Sequence, residues 1–241
     1  MLDAVRIGAW AKSGSPTPTA YGGLCFTAES ANSSVQLTAV GSAPTVTLIK
    51  SFDGVNWEDY AVGEVIELPS IGDSVYLAAG EGGNETFGSS TSNYHKFVIN
   101  GLVAASGDIT SLRRFDLIQT PFASNCYRSM FSGCKGLTSA PELPATTLAT
   151  YCYYLMFRGC TGLTSAPELP ATTLASNCYS SMFSGCTHLS LIKVHFTAWG
   201  VQTNNWVNNV LPTGTFYKPS ALPEEFSTSK IPTGWAVVNI D

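Results

Sequence analysis

A stretch of fourteen residues occurs twice without a change: residues 136–149 read GLTSAPELPATTLA, and residues 162–175 repeat them 26 positions later. The same period extends into the flanking segments with substitutions, as NCYRSMFSGC at 125–134, YCYYLMFRGC at 151–160 and NCYSSMFSGC at 177–186. A fixed period in the twenties restricts a chain to a stacked array in which each unit buries its flank on the next, and 26 lies within the leucine-rich-repeat range. Such an array sets an architecture and a class of task, recognition or scaffolding, and names no partner.

Within one unit, Cys126, Met130 and Cys134 recur at i, i+4 and i+8, with Tyr127 and Phe131 beside them, which predicts one wide apolar face of an α-helix. Ser124 or Asn125 would cap its start, and Gly133 would supply the left-handed residue that ends it. The following LTSAPELP at 137–144 is too rich in proline for a helix and reads as a short extended segment. Its Leu137, Ala140 and Leu143 point inward, and Leu148 re-enters the core before the next unit.

The six repeat cysteines form three pairs of the form C-x7-C. Across one helix their Cα atoms would lie roughly 12 Å apart, beyond the ~7 Å a disulfide spans. Without C-x2-C spacing, and with only 3 histidines in the chain, zinc is a poor fit. The reading favoured is two ladders of buried free thiols, Cys126/Cys152/Cys178 and Cys134/Cys160/Cys186. Disulfides between adjacent repeats are the alternative. Cys25 reads as a core residue of the segment in front.

That segment, residues 21–107, reads as all-β. Strands are expected over 24–28, 35–39, 45–50, 57–60, 65–68, 75–79 and 94–103, at roughly ten-residue spacing with Gly, Ser and Asn between them, which implies a small sandwich or barrel. Ser51-Phe-Asp-Gly54 reads as a hairpin turn. The loop 80–92 is polar and expected to be exposed, and it fits no phosphate-binding spacing. Asn32-Ser-Ser and Asn84-Glu-Thr match the glycosylation sequon.

The whole chain is therefore expected to be α+β: an arm at 1–20, a sandwich-like domain at 21–107, repeats at 108–186 forming a short helix-and-strand solenoid, and a C-terminal cap at 187–241. Within the arm, 4–10 would pair as an edge strand or serve as an attachment point. Residues 109–118 read as a degenerate first repeat. In the cap, TNNWVNNV at 203–210 reads as a last short helix with Trp206 inward.

Charged residues make up only 12% of the 241, about half the usual share, so Ser, Thr, Asn and Gly must supply the polar surface. The net charge of −5 and the lack of a basic cluster speak against nucleic acid as a partner. No apolar run is long enough to span a membrane. Residues 1–20 lack the basic start and long apolar segment of a secretory signal, which leads to the expectation that either a signal has been removed or the protein leaves its cell another way, for example inside a virion. No heptad seam specifies an oligomer, and a homo-oligomer is left open.

No constellation of catalytic or metal-binding residues emerges. His95, His188 and His195 have no nucleophile at a recognisable spacing. Glu142 and Glu168 occupy equivalent repeat positions and read as a solvated pair rather than a glycosidase dyad, and Asp53, Glu58 and Asp59 lack calcium-loop spacing. No cofactor is implied. The positions that vary between repeats are more informative: Asn125/Tyr151/Asn177, Arg128/Tyr154/Ser180, Ser129/Leu155/Ser181 and Ser132/Arg158/Ser184. Off the core stripe, they are expected to face outward. Tyr151, Tyr154 and Arg158, with Arg128 beside them, form a candidate contact patch of residue types enriched at interfaces; neutral drift on a solvated surface is the competing explanation.

The repeat N-C-Y-x2-M-F-x-G-C-x-x-L-T-S-A-P-E-L-P-A-T-T-L-A resembles the BspA-like leucine-rich repeats of surface proteins in gut bacteria and their phages. The features Phe52-Asp-Gly54 with Trp57, Gly72-Asp-Ser-Val-Tyr76, and Tyr94-His-Lys-Phe-Val98 followed by Ala104-Ala-Ser-Gly107 are similar to a module that precedes such repeats. Gly214-Thr-Phe-Tyr-Lys-Pro219 with Ile231-Pro-Thr-Gly-Trp235 is similar to the family's ending. The resemblance implies a surface-exposed binding or adhesive protein without catalysis. Its partners would be other virion or cell-surface proteins, or host glycans and receptors. The expected location is a virion surface, as fibre, decoration or tail protein, with a bacterial cell-surface adhesin or a carbohydrate-binding module as alternatives.

Overall fold

A computed structural model describes residues 22–116 and 121–240. The arm expected at 1–20, the strand or attachment point at 4–10, and Leu117 and Ile118 of the degenerate repeat lie outside the described residues.

Alternating apolar residues in the front segment form eight strands: β1 Cys25–Ala28, β2 Ser33–Val40, β3 Leu48–Ser51, β4 Glu58–Tyr60, β5 Val65–Leu68, β6 Ser74–Ala79, β7 Tyr94–Asn100 and β8 Val103–Ser106. They build two antiparallel groups, β5-β2-β7 and β4-β3-β6-β1-β8. Both contribute to one apolar interior, an arrangement compatible with a sandwich. The pleat sets which side chains enter it: in β7, His95, Phe97 and Ile99 point inward while Tyr94, Lys96 and Val98 are half-buried. The single strand expected over 94–103 is two. Gly101, at φ 73°, takes the chain from one sheet to the other, and a Cβ there would meet Ser33 Oγ at 2.4 Å.

Beyond β8 the expected α+β fold, with its leucine-rich-repeat solenoid of helices and strands, does not form. The chain is nearly all β and turn, and the longest helix among the described residues is the four-residue 3₁₀ turn Ile109–Leu112. A short strand β9, Leu137–Ser139, adds to β8 in parallel. Three more, β10 Leu191–Lys193, β11 Thr215–Lys218 and β12 Ala236–Asn239, form a parallel sheet.

The segments expected to be helical are rows of overlapping turns. Positive φ recurs at every fourth residue: Asn125, Ser129 and Gly133; Tyr151, Leu155 and Gly159; Asn177, Ser181 and Gly185. No α-helix tolerates that. Backbone bonding alternates with it. Arg128, Met130, Ser132 and Cys134 each donate N–H to the carbonyl three residues back. The odd-numbered residues between them donate outward to the next row: Asn125 to Thr150, Tyr127 to Cys152, Ser129 to Tyr154, Phe131 to Met156 and Gly133 to Arg158. Residues 151–159 bond in the same way to carbonyls at 176–184. The segment expected as a last helix, TNNWVNNV, is another row, with Asn205 and Asn209 at positive φ and Trp206 fully buried.

This geometry explains the spacing of the apolar residues. Four residues per turn of an α-helix overshoot a full rotation by about 40°, so a stripe at i, i+4 and i+8 drifts. A row that repeats every four residues keeps Cys126, Met130 and Cys134 on one side without drift, and all three are at most 2% exposed.

Two columns of rings run through the rows. In one, Tyr127, Tyr153 and Tyr179 stack at 5.9 and 6.2 Å between centroids, with rings within 10° of parallel. In the other, Phe131, Phe157 and Phe183 stack at 5.4 and 5.8 Å. The front sheets begin both columns. Phe87 stacks on Tyr127 at 5.9 Å and Phe97 on Phe131 at 5.1 Å. Their N–H groups donate to the carbonyls of Cys126 and Met130, the bonds that Tyr127 and Phe131 make to Cys152 and Met156 one row on. Phe87 is buried in the loop expected to be polar and exposed. Trp206 closes the far end, 6.1 Å from Phe183. The buried residues of the front sheets, rows and C-terminal segment form one cluster.

Glycine and asparagine accommodate many of the left-handed positions, but Tyr151 and Leu155 occupy two at φ 59° and 58°, a conformation that costs an ordinary side chain about 1–2 kcal/mol. Leu155→Asn is expected to stabilise the protein by about 0.5–1 kcal/mol. Leu155→Ala, which keeps the Cβ, should give no such gain, and thermal unfolding of both variants checks the difference.

Candidate functional site

The thiols lie where the rows are driest. All seven cysteines are free and buried, so the alternative of disulfides between repeats does not form. Cys25 sits in β1 at 8% exposure. Cys134, Cys160 and Cys186 donate S–H to the carbonyls of Phe97, Phe131 and Phe157 at 3.2, 3.0 and 3.0 Å, each reaching back one row. Burial pushes the Cys126 thiol up to about 11 and those of Cys134, Cys178 and Cys186 up to about 12. It holds Cys152 and Cys160 well above the usual thiol range, reinforced by their cysteine neighbours in adjacent rows. Thiols held neutral in this way are poor nucleophiles and poor metal ligands. Among the described residues, no group of three or more His, Cys, Asp or Glu could hold a metal ion.

The histidines and carboxylates are tied into structure. His95 is buried, its Nδ1 3.1 Å from the Phe87 carbonyl, and burial lowers its pKa. His188 Nδ1 lies 2.6 Å from the Thr161 carbonyl. Glu168 Oε1 lies 2.9 Å from Lys193 Nζ and 2.6 Å from His195 Nε2, and these partners hold its pKa below the usual carboxylate value. Asp53 accepts from the N–H groups of Val55 and Asn56, which lowers its pKa. Asn84, the first residue of a segment that matches the glycosylation sequon, uses its amide to tie Thr47 to Leu112, accepting from the Thr47 N–H and donating to both carbonyls.

The variable positions do not all face outward. Arg128 is 6% exposed, held between the front sheets and the second row. Its guanidinium carbon lies 4.2 Å from the ring centre of Tyr154 and 5.9 Å from that of Tyr151, and the two tyrosines meet edge to face at 5.4 Å. Its Nε and Nη1 have no hydrogen-bond partner, and no salt bridge reaches it among the described residues. Burial accordingly lowers its pKa, opposed by the tyrosines around it. The cation is held by ring faces, an interaction that grows stronger as water is removed. Three of the four patch residues thus form one cation–π cluster. Arg158, the fourth, is exposed.

Next to this cluster an open groove of about 550 Å³ crosses the rows. Tyr154, Leu155 and Arg158 line it from the second row, Ser181 and Ser184 from the third, and Asn205, Asn208 and Thr228 beyond. Arg158 also borders a second groove of about 420 Å³ alongside Gly133, Gly159 and Gly185. The sequence reading missed Asn205, Asn208 and Thr228. The paired asparagines of TNNWVNNV, four residues apart, carried the signal, since they mark the same left-handed spacing as in the repeats.

Comparison of the chain with protein-family models, with curated proteins and with solved structures finds no match in any of the three.

The thiol pKa values fix a pH dependence. The folded state holds the thiols neutral, whereas an unfolded thiol ionises near pH 8.5. Their contribution to stability is therefore complete below that pH and is lost as pH rises toward the folded values of about 11 to 12. The midpoint of chemical unfolding should fall between pH 9 and 11, while an aromatic disulfide reagent at pH 8 leaves the six repeat thiols unreacted until the protein unfolds. For the cation–π cluster, a double-mutant cycle with Arg128→Met and Tyr154→Leu is expected to give a favourable coupling of about 0.5–2 kcal/mol.

Proposed function

We propose that this chain is a non-enzymatic recognition and structural protein of the BspA-like kind, displayed on the surface of a phage particle as a fibre, decoration or tail component. The front sheets serve to dock it and the rows present a binding face. The observation that carries this reading is the grooved face itself: its backbone is committed to row-to-row hydrogen bonds, so Tyr154, Arg158 and the serines and asparagines around them are offered to solvent from a rigid support. A rigid support lowers the entropy cost of binding. Low charge and a surface of small polar residues suit an exposed particle protein.

The repeat's resemblance to bacterial surface proteins favours a second reading, an adhesin displaying the same face from the cell envelope. The two are separated by location. Gold-labelled antibody is expected to decorate purified phage particles, and the recombinant protein to compete with particle adsorption. Label on host envelopes in the absence of phage would establish the adhesin reading instead. Absence from both particles and envelopes, with no effect on adsorption, would overturn the display function altogether.

A further inference from the structure

We propose that the groove across the rows binds an extended polysaccharide bearing carboxylates on its sugar units, a polyuronide. The inference rests on the recognition reading above and gives it a ligand class.

Two parallel lines of side chains form the groove. Leu155, Ser181 and Asn205 occupy the left-handed position of successive rows, and Arg158, Ser184 and Asn208 lie three residues further on in each. The N–H groups of Leu155 and Ser181 already donate to the next row, and the Thr228 hydroxyl donates to Asn205 Oδ1 at 3.3 Å, so the Ser181 and Ser184 hydroxyls, the Asn208 amide and the Arg158 guanidinium face a ligand. That complement matches the many donors and acceptors of a sugar chain. Rows succeed one another at ring separations of 5.4–6.2 Å, so only an extended ligand can touch more than one row. A repeating ligand would therefore meet equivalent positions row after row.

Charge selects the acidic class. Between Asp116 and Glu224 the sequence holds only two carboxylates, Glu142 and Glu168; Glu224 and Glu225 lie four and three residues before Thr228, Glu225 paired with Lys230, and neither lines the groove. Glu168 is paired with Lys193 and His195, and neither it nor Glu142 lines the groove. Arg158 is exposed and forms no salt bridge among the described residues. The groove is thus locally cationic on a chain of net charge −5, with a fork suited to a carboxylate. A single guanidinium is too little for a nucleic-acid backbone, which calls for a row of phosphate contacts.

Two further features mark the second row as built for this. Tyr154 lines the groove while its ring is held against Arg128 at 4.2 Å, which fixes an aromatic surface where a sugar can stack. Leu155 keeps a strained left-handed backbone where sister rows use Ser129, Ser181 and Asn205. Tyr151 shares that left-handed backbone in the same row, at φ 59°, so the second row carries its two bulkiest left-handed side chains beside the groove.

Calorimetric titration of the full chain with an oligouronide, and with the same oligomer after its carboxyls are reduced to alcohols, tests the assignment. The oligouronide is expected to bind, the reduced oligomer to bind at least tenfold more weakly, and added salt to weaken the first and not the second. Arg158→Gln should lose tenfold or more in affinity, Arg158→Lys less, and Lys193→Gln on the strand side nothing, all with melting temperatures that show a folded protein. Equal affinity for both oligomers, unchanged affinity in Arg158→Gln, or no binding of the oligouronide at millimolar concentration would each overturn the proposal. If the saccharide does not bind but the protein still decorates particles and competes for adsorption, the recognition function stands and the ligand assignment falls. Loss of adsorption in Arg158→Gln without saccharide binding would identify a protein receptor. Saccharide binding by a protein found on neither particle nor envelope would leave the groove's specificity in place and remove the display function.

Discussion

The alternation of backbone hydrogen bonds within each row is the constraint on which the rest of the structure depends. One residue's N–H closes a turn three residues back, and the next reaches across to the following row. An α-helix satisfies its backbone internally and can pack on almost any apolar surface. A row of this kind cannot, because half of its donors need a neighbouring row at one register. Stacking is therefore a requirement of the backbone as well as of the apolar side chains.

The same requirement explains how the front sheets and the rows become one body. A first row must have its outward-facing carbonyls satisfied by something that is not a row. Phe87 and Phe97 do this by placing an N–H on the Cys126 and Met130 carbonyls and a ring on Tyr127 and Phe131. The Cys134 thiol bonds to the Phe97 carbonyl as Cys160 does to that of Phe131. A β-strand and a loop thus reproduce the contacts of a missing repeat. Gly136 completes the junction, since a Cβ there would lie 1.9 Å from the Gly101 carbonyl oxygen. At the far end the bulk of Trp206 meets Phe183, Phe196 and Phe216, and its indole N–H donates to the Lys230 carbonyl at 2.8 Å.

With the interior given over to identical rungs, variation is confined to the turn face, and there the second row differs most from its neighbours. Its substitutions work as a group. Tyr151 and Tyr154 enclose Arg128 from the first row, Leu155 accepts a strained backbone, and Arg158 is left exposed with no salt bridge among the described residues. A buried cation held by rings and an exposed cation beside a polar groove have different consequences. The first fixes the rows to the front sheets, where Arg128 approaches Gly88, and the second gives the surface its local charge.

Much of this was legible in the residues, and the failures have physical causes. The 26-residue period, the inward set of Cys126, Met130, Phe131, Leu137 and Leu143, and the inward Trp206 follow from spacing and apolarity alone. A period of four over three rungs was read as a helical stripe because 4.0 and 3.6 separate only slowly. The telling residues were Asn125 and Gly133, both tolerant of positive φ and a multiple of four apart, but Tyr151 and Leu155 in the second row hid the pattern. Polar neighbours conceal the burial of Phe87, and nothing local marks Arg128 as buried, because an arginine without a carboxylate is rarely inside.

The sequence by itself determined that the chain stacks near-copies of one unit and which side chains fill the shared interior, because burial follows apolarity and periodicity. Only the tertiary structure decided that the rows are turns rather than helices, that Phe87 and Phe97 stand in for a repeat, and that Arg128 lies between two rings. Each of these depends on hydrogen bonds and ring contacts between residues distant in the chain, which no local pattern encodes.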